Sequence, residues 1–140
     1  MPEKLKAHYV DHISIAVKDL KTAENDFRQA FGWEPDGRYT DEGERIRVVY
    51  FKVGPTAVEL MEDLDGTGEV SKWIEKHGES VMVVSFKVDD TKEDLALLKR
   101  NGARMLDDTP RFAAEINRYF AFLHPKVSHG VLMEIIDREY

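Results

Sequence analysis

The chain has no cysteine among its 140 residues. That excludes a disulfide framework, a thiol nucleophile and any thiolate-held metal, so a metal has to rest on the five histidines and the carboxylates. Long apolar runs are missing too. Nothing approaches the roughly 18–20 apolar residues of a membrane span, and the opening stretch MPEKLKAHYV carries no signal-peptide core. Basic charge is in deficit: 20 Lys and Arg stand against 27 Asp and Glu, a formal net charge of −7. This balance argues against a nucleic acid or an anionic membrane as the main partner, because both ask for a basic face. No Gly/Ser linker or low-complexity tract divides the chain. What is present is 42% hydrophobic and 34% charged residues, an ordinary globular balance at the length of one domain. The expectation is one cytoplasmic domain over residues 1–140, built of helices and strands and handling a small molecule.

An approximate duplication runs through the chain. The strand-like His12–Val17 is followed by Lys18-Asp19, and 71 positions later Val83–Val88 is followed by Asp89-Asp90. Each leads into an amphipathic helix. In the first, Leu20, Ala23, Phe27, Ala30 and Phe31 fall at helical spacing, with Asp19 as N-cap and Gly32 as terminator. In the second, Asp90 or Thr91 caps, Leu95 and Leu98 face inward and Gly102 ends the helix. Three strand-like runs follow each helix: Glu34–Tyr39, Ile46–Val53 and Ala57–Met61, then Ala103–Leu106, Arg118–Leu123 and Val131–Ile136. The unit reads βαβββ, twice: a first module at about 8–65 and a second at about 81–138, with a linking helix at about 69–78 that turns Trp73 and Ile74 inward. Two unrelated α/β segments with similar opening strands are the alternative.

Pseudo-symmetric halves place matching strand positions around a common cleft. Glu59 lies within Ala57–Met61 and Glu134 within Val131–Ile136, the corresponding last strands of the two copies. A carboxylate inside an apolar strand either points to solvent or is held inside for a reason. His12 opens the first strand, and its counterpart is Val83. His12, Glu59 and Glu134 are therefore candidate ligands of a divalent cation, with Co, Mg, Mn and Zn all compatible. His8 lies about 13 Å along the strand from His12, too far to share an ion. His77 and His129 read, like His8, as surface residues.

The segments Asp11–Val17, Phe31-Gly32-Trp33, Val58-Glu59-Leu60, Phe86–Asp90, Phe122–Lys126 and Gly130–Glu134 resemble the vicinal oxygen chelate superfamily, which includes glyoxalase I and extradiol dioxygenases. The branch they resemble is methylmalonyl-CoA epimerase. The resemblance implies an α+β fold in which two βαβββ modules form an open barrel, and an isomerase acting on the carbon α to an acyl-CoA thioester. It implies four metal ligands, of which His12, Glu59 and Glu134 carry over, whereas the fourth, a histidine, falls on Val83. The ligand set is thus incomplete. The position of the family's proton-transfer base falls on Val48, and the glycine-rich loop is replaced by Arg111–Asn117. A homodimer and an acyl-CoA substrate also follow from the resemblance.

Epimerisation next to a thioester needs a base, an electrophile for the enolate oxygen and an acid for the other face. With Val48 in the base position, the proton chemistry falls to Glu134 and Glu59, the candidate catalytic residues, or to Glu44. Two carboxylates sharing a cleft could also divide one proton without a metal. The competing reading is a metal-free ligand-binding protein of this fold, its pocket lined by Trp33, Tyr50, Phe112, Tyr119 and Phe120. For the phosphates of CoA, the candidates are Arg45 and Arg47 on one strand face and Arg111, Arg118 and Lys126 beside the altered loop. Solvated strand-edge charge is the alternative for all five.

Overall fold

A computed structural model describes residues 1–137 and contains, among them, eight strands and three α-helices. Two compact units divide the chain: Ile13–Met82, and Met1–His12 together with the segment from Val83 onward. The first strand, β1 (Val10–Ala16), supplies its opening residues to the second of these units and the remainder to the first. The end of the second module, Arg138, lies outside the described residues.

In the Ile13–Met82 unit, β1 leads into helix α1 (Leu20–Phe31). Asp19 caps it by accepting from the Lys21 and Thr22 N–H groups, and Gly32, at φ +70, closes it. Leu20, Ala23 and Phe27 pack on Val17, Val49, Phe51 and Leu60. Phe31, expected on this inner face, is instead 55% exposed and stacks on Trp33 at 4.5 Å. The buried α1 residue that hydrophobic periodicity passes over is Glu24, whose carboxylate receives both Arg38 and Arg28. Strands β2 (Gly37–Asp41), β3 (Ile46–Val53) and β4 (Thr56–Asp63) form an antiparallel meander. The Val17 N–H donates to the Met61 carbonyl at 2.9 Å, so the end of β1 runs beside β4. Helix α2 (Glu69–His77) follows, its first turn tied down by Asp63, which accepts from the Gly68 and Ser71 N–H groups.

In the other unit, β5 (Ser80–Lys87) leads into α3 (Thr91–Arg100). Asp90, of the two expected caps, accepts from the Glu93 N–H, and Thr91 turns inward to donate to the Tyr119 carbonyl. Leu95 and Leu98 pack on Val88, Ala121, Leu123 and Ile135. The expected strand at Ala103–Leu106 is not a strand. Only Met105 forms an isolated bridge, to Leu123. The missing strand is β6 (Arg111–Ala113), inside the segment taken from sequence as a loop, and it pairs with β7 (Arg118–Phe122). The reason is turn geometry. Between β2 and β3, and again between β6 and β7, four residues make the connection and the last, Arg45 or Asn117, takes a positive φ. The two hairpins are thus built alike, without a glycine in the left-handed position. Strand β8 (Leu132–Ile136) runs antiparallel to β7 and parallel to β5.

In each unit the strands turn one face to a helix and the other away from it. Ile135 of β8 packs among the α3 residues, whereas Ile136 joins Phe120, Phe122 and Ala113. Alternation puts Glu134 on the face of Ile136, away from α3. In the other unit Leu60 packs under α1, and Glu59, its neighbour on β4, points the other way. Both carboxylates therefore sit on the face opposite the helix.

Candidate active site

In the unit that holds β8, four side chains form a chain of buried polar contacts. Arg118, the first residue of β7, is fully buried and donates through Nη2 to Asp11 Oδ1 at 2.5 Å. Asp11 Oδ2 lies 2.7 Å from His12 Nδ1. An ionised carboxylate only accepts, so the ring proton belongs on Nδ1 and Nε2 is left facing away from Asp11. There Nε2 meets Glu134 Oε1 at 3.1 Å, with both side chains buried. The two atoms are at ion-pair distance, yet Oε1 closes no hydrogen bond. A bare imidazole nitrogen and a carboxylate oxygen repel unless a cation or proton lies between them. That arrangement, with an imidazole backed by a carboxylate and an unbonded carboxylate oxygen beside it, suits a divalent cation chemically. Among the described residues, no cluster of three or more metal-ligating side chains is present, so this pair supplies two donors.

Ser85 on β5 stands in register with Glu134, and its buried hydroxyl has no hydrogen-bond partner among the described residues. The other unit repeats this pair with a different outcome. Ser14 on β1 donates to Glu59 Oε1 at 3.0 Å, and the Tyr39 hydroxyl lies 3.4 Å from Oε2. Glu59 is 2% exposed and stands in register with Tyr50, whose ring lies 6.4 Å from that of Tyr39. The two hydroxyls supply hydrogen-bond partners to this buried carboxylate.

Sequence reasoning placed Glu59, Glu134 and His12 inside, and all three are buried. The structure brings His12 and Glu134 together and gives Glu59 its own hydroxyl contacts in the other unit. Val48, the expected base position, is a buried apolar side chain in register with Met61. His8 is half exposed and pairs with Asp89, and His77 and His129 are exposed. His124 caps the short 3-10 turn Pro125–Ser128 by accepting from the Lys126 N–H.

Arg118 is a correction. Expected near CoA phosphates, it is instead sealed inside against Asp11. Its signal was available, because Arg118, Phe120 and Phe122 alternate on one strand face, and an arginine in that series points inward with them. Arg45 and Arg47 are spoken for at the surface by Asp65 and Glu62. Arg111 pairs with Asp107 at 2.8 Å and lies over the Phe122 ring, 5.0 Å from its centre. Of the aromatics considered for a pocket, Phe112 and Tyr119 are exposed, their rings tilted against each other with centres 4.7 Å apart.

The chain is similar to several known proteins. The chain is 27% identical over 128 residues to the ethylmalonyl-CoA/methylmalonyl-CoA epimerase of Cereibacter sphaeroides, covering 90% of this chain and 95% of that one. It is 29% identical over 128 residues to the uncharacterized protein YqjC of Bacillus subtilis, covering 91% of each. Among solved structures, a single-residue variant of Streptomyces coelicolor methylmalonyl-CoA epimerase in complex with 2-nitronate-propionyl-CoA superposes with a TM-score of 0.88 at 31% identity, covering 94% of this chain and 95% of that one. The methylmalonyl-CoA epimerase of Mycobacterium tuberculosis superposes with a TM-score of 0.89 at 25% identity, covering all of this chain and 94% of that one. Residues 11–122 match the profile of the Glyoxalase/Bleomycin resistance protein/Dioxygenase superfamily, and with the mixed α+β fold just described, the chain belongs to that superfamily.

Proposed function

We propose that this protein is an acyl-CoA epimerase-like isomerase that moves the proton on the carbon α to the thioester, with methylmalonyl-CoA as the first substrate to try. The buried meeting of His12 Nε2 and Glu134 Oε1 at 3.1 Å, where Oε1 closes no hydrogen bond, carries this reading. His12 and Glu134, with Glu59 as the matching carboxylate of the repeat, are proposed as donors to a divalent cation such as Co, Mg, Mn or Zn. When bound, such a cation would withdraw charge from the thioester oxygen as the α-proton leaves.

Proton transfer is assigned to the carboxylates. Removing the α-proton leaves its electron pair delocalised into the thioester carbonyl, and returning a proton on the opposite face restores the C–H bond with inverted configuration. Val48 cannot accept a proton, but Glu59 stands on the same face of the β3–β4 hairpin, one diagonal step from it across the register. Glu59 is thus assigned the acceptor role that position 48 cannot fill, and Ser14 and Tyr39 hold it in place. Glu134 is assigned the other face. A homodimer and a cytoplasmic location belong to the same reading.

The test is α-proton exchange of methylmalonyl-CoA in deuterated water, with and without added Co²⁺ or Mg²⁺. Deuterium incorporation that depends on enzyme is the expected result. No exchange under either metal would overturn the epimerase assignment and leave the metal-free binding protein as the alternative.

A further inference from the structure

Resting on the epimerase reading, we infer that Arg118 is a positioning residue for His12, acting through Asp11. Arg118 is fully buried and Asp11 is 1% exposed, and their contact joins the start of β7 to β1 across 107 residues of chain. Burying an arginine costs solvation unless a carboxylate meets it, and a shared carboxylate oxygen pair has only so many directions in which to accept. Here Oδ1 takes Arg118 and Oδ2 takes His12 Nδ1. The guanidinium fixes one Asp11 oxygen and so turns the other toward His12 Nδ1. An accepting oxygen at Nδ1 keeps the ring proton there and leaves Nε2 directed at Glu134 Oε1. Arg118 acts through Asp11. It fixes which nitrogen of His12 is available and where that nitrogen points.

This explains why a full charge is kept at a place where Phe120 and Phe122, on the same strand face, are apolar. An apolar residue at 118 would leave Asp11 free to rotate and the ring free to exchange its proton between nitrogens. Lysine would keep a cationic donor facing Asp11, though without the planar fork of arginine.

Long-range ¹H–¹⁵N spectra of the full-length, metal-free protein read the tautomer of His12, and calorimetric titration with Co²⁺ alone reads its donor capacity. The parent is expected as the Nδ1–H form. Arg118→Gln is expected to mix the tautomers and to weaken Co²⁺ binding by about 10–100-fold, the range for loss of an outer-shell partner. Arg118→Lys is expected to stay within about threefold of the parent, since a cationic donor still faces Asp11. Parent-like behaviour of Arg118→Gln in both readouts would overturn the inference, as would equal damage from Gln and Lys.

Should Arg118→Gln fail to fold, the neutral pair decides. Adding Arg118→Gln to Asp11→Asn should leave Co²⁺ affinity within about twofold of Asp11→Asn alone, because the effect runs through the missing carboxylate. A further tenfold loss would overturn it. A parent that binds no Co²⁺ and exchanges no α-proton would sink the epimerase reading, and the tautomer comparison would still decide the role of Arg118.

Discussion

Glu59 and Glu134 lie inside β4 and β8, the last strands of the two modules, yet their surroundings differ in kind. Glu59 accepts from two hydroxyls, while Glu134 Oε1 faces an imidazole nitrogen and bonds to nothing. The two should fail differently when neutralised. Glu134→Gln removes a charged donor beside His12, and Co²⁺ affinity in calorimetry should fall by more than the roughly 10–100-fold typical of an outer-shell loss. Glu59→Gln keeps an oxygen donor but loses the proton acceptor. Its Co²⁺ affinity should stay within about tenfold, while α-proton exchange falls by about 10²–10⁴-fold, the usual weight of a general base. His12 and both glutamates were legible as candidates because carboxylates interrupt apolar runs at equivalent places of a repeat. The roles of Ser14, Tyr39 and Ser85 were not, since a hydroxyl on a strand carries no sequence signal of what it faces.

Two anchors outside the site set the placement of helices. Asp63 ends β4 and accepts four backbone N–H groups, from Asp65, Gly66, Gly68 and Ser71, the last two opening α2. Burial pushes its pKa up, but the Ser71 hydroxyl and the backbone N–H groups of Asp65, Gly68 and Ser71 together outweigh that and hold it below the ordinary carboxylate range. Asp63→Ala leaves that turn uncapped and should cost about 0.5–2 kcal/mol in denaturant unfolding. Glu24 is the second anchor. Its hydrogen bond to Arg38 holds its pKa below the ordinary 4.5, with Arg28 adding to the pull and burial opposing it. A lowered carboxylate contributes in full above its unfolded value and loses that contribution as pH falls through the folded one. The Tm gap between parent and Glu24→Gln should therefore be widest near neutral pH and close as pH drops below 4.5. Arg38 is largely exposed, so the gap is modest. Helix α1 was legible from its cap, period and terminator, and Glu24 within it was not: its partner Arg38 comes from β2.

For the protein as a unit, the proposed cation should act as a ligand of the native state. Co²⁺ at about 100 times its dissociation constant should add about 2.7 kcal/mol of stability and raise Tm by differential scanning calorimetry, and an equal concentration of chelator should reverse it. No helix among the described residues is long and apolar enough to cross a membrane. The sequence by itself determined the repeat, the helices with their caps, the strands Ile46–Val53 and Ala57–Met61 to within a residue or two, and the three acid and imidazole positions worth following. Those features are written in local period and spacing, which a chain carries along its length. Tertiary structure alone decided that Arg111–Ala113 is a strand, because an edge of three residues earns its hydrogen bonds only when β7 lies beside it. It also decided that Arg118 turns away from solvent toward Asp11, 107 positions earlier in the chain. A buried charge is stable only with its partner in place, and no window of sequence contains both.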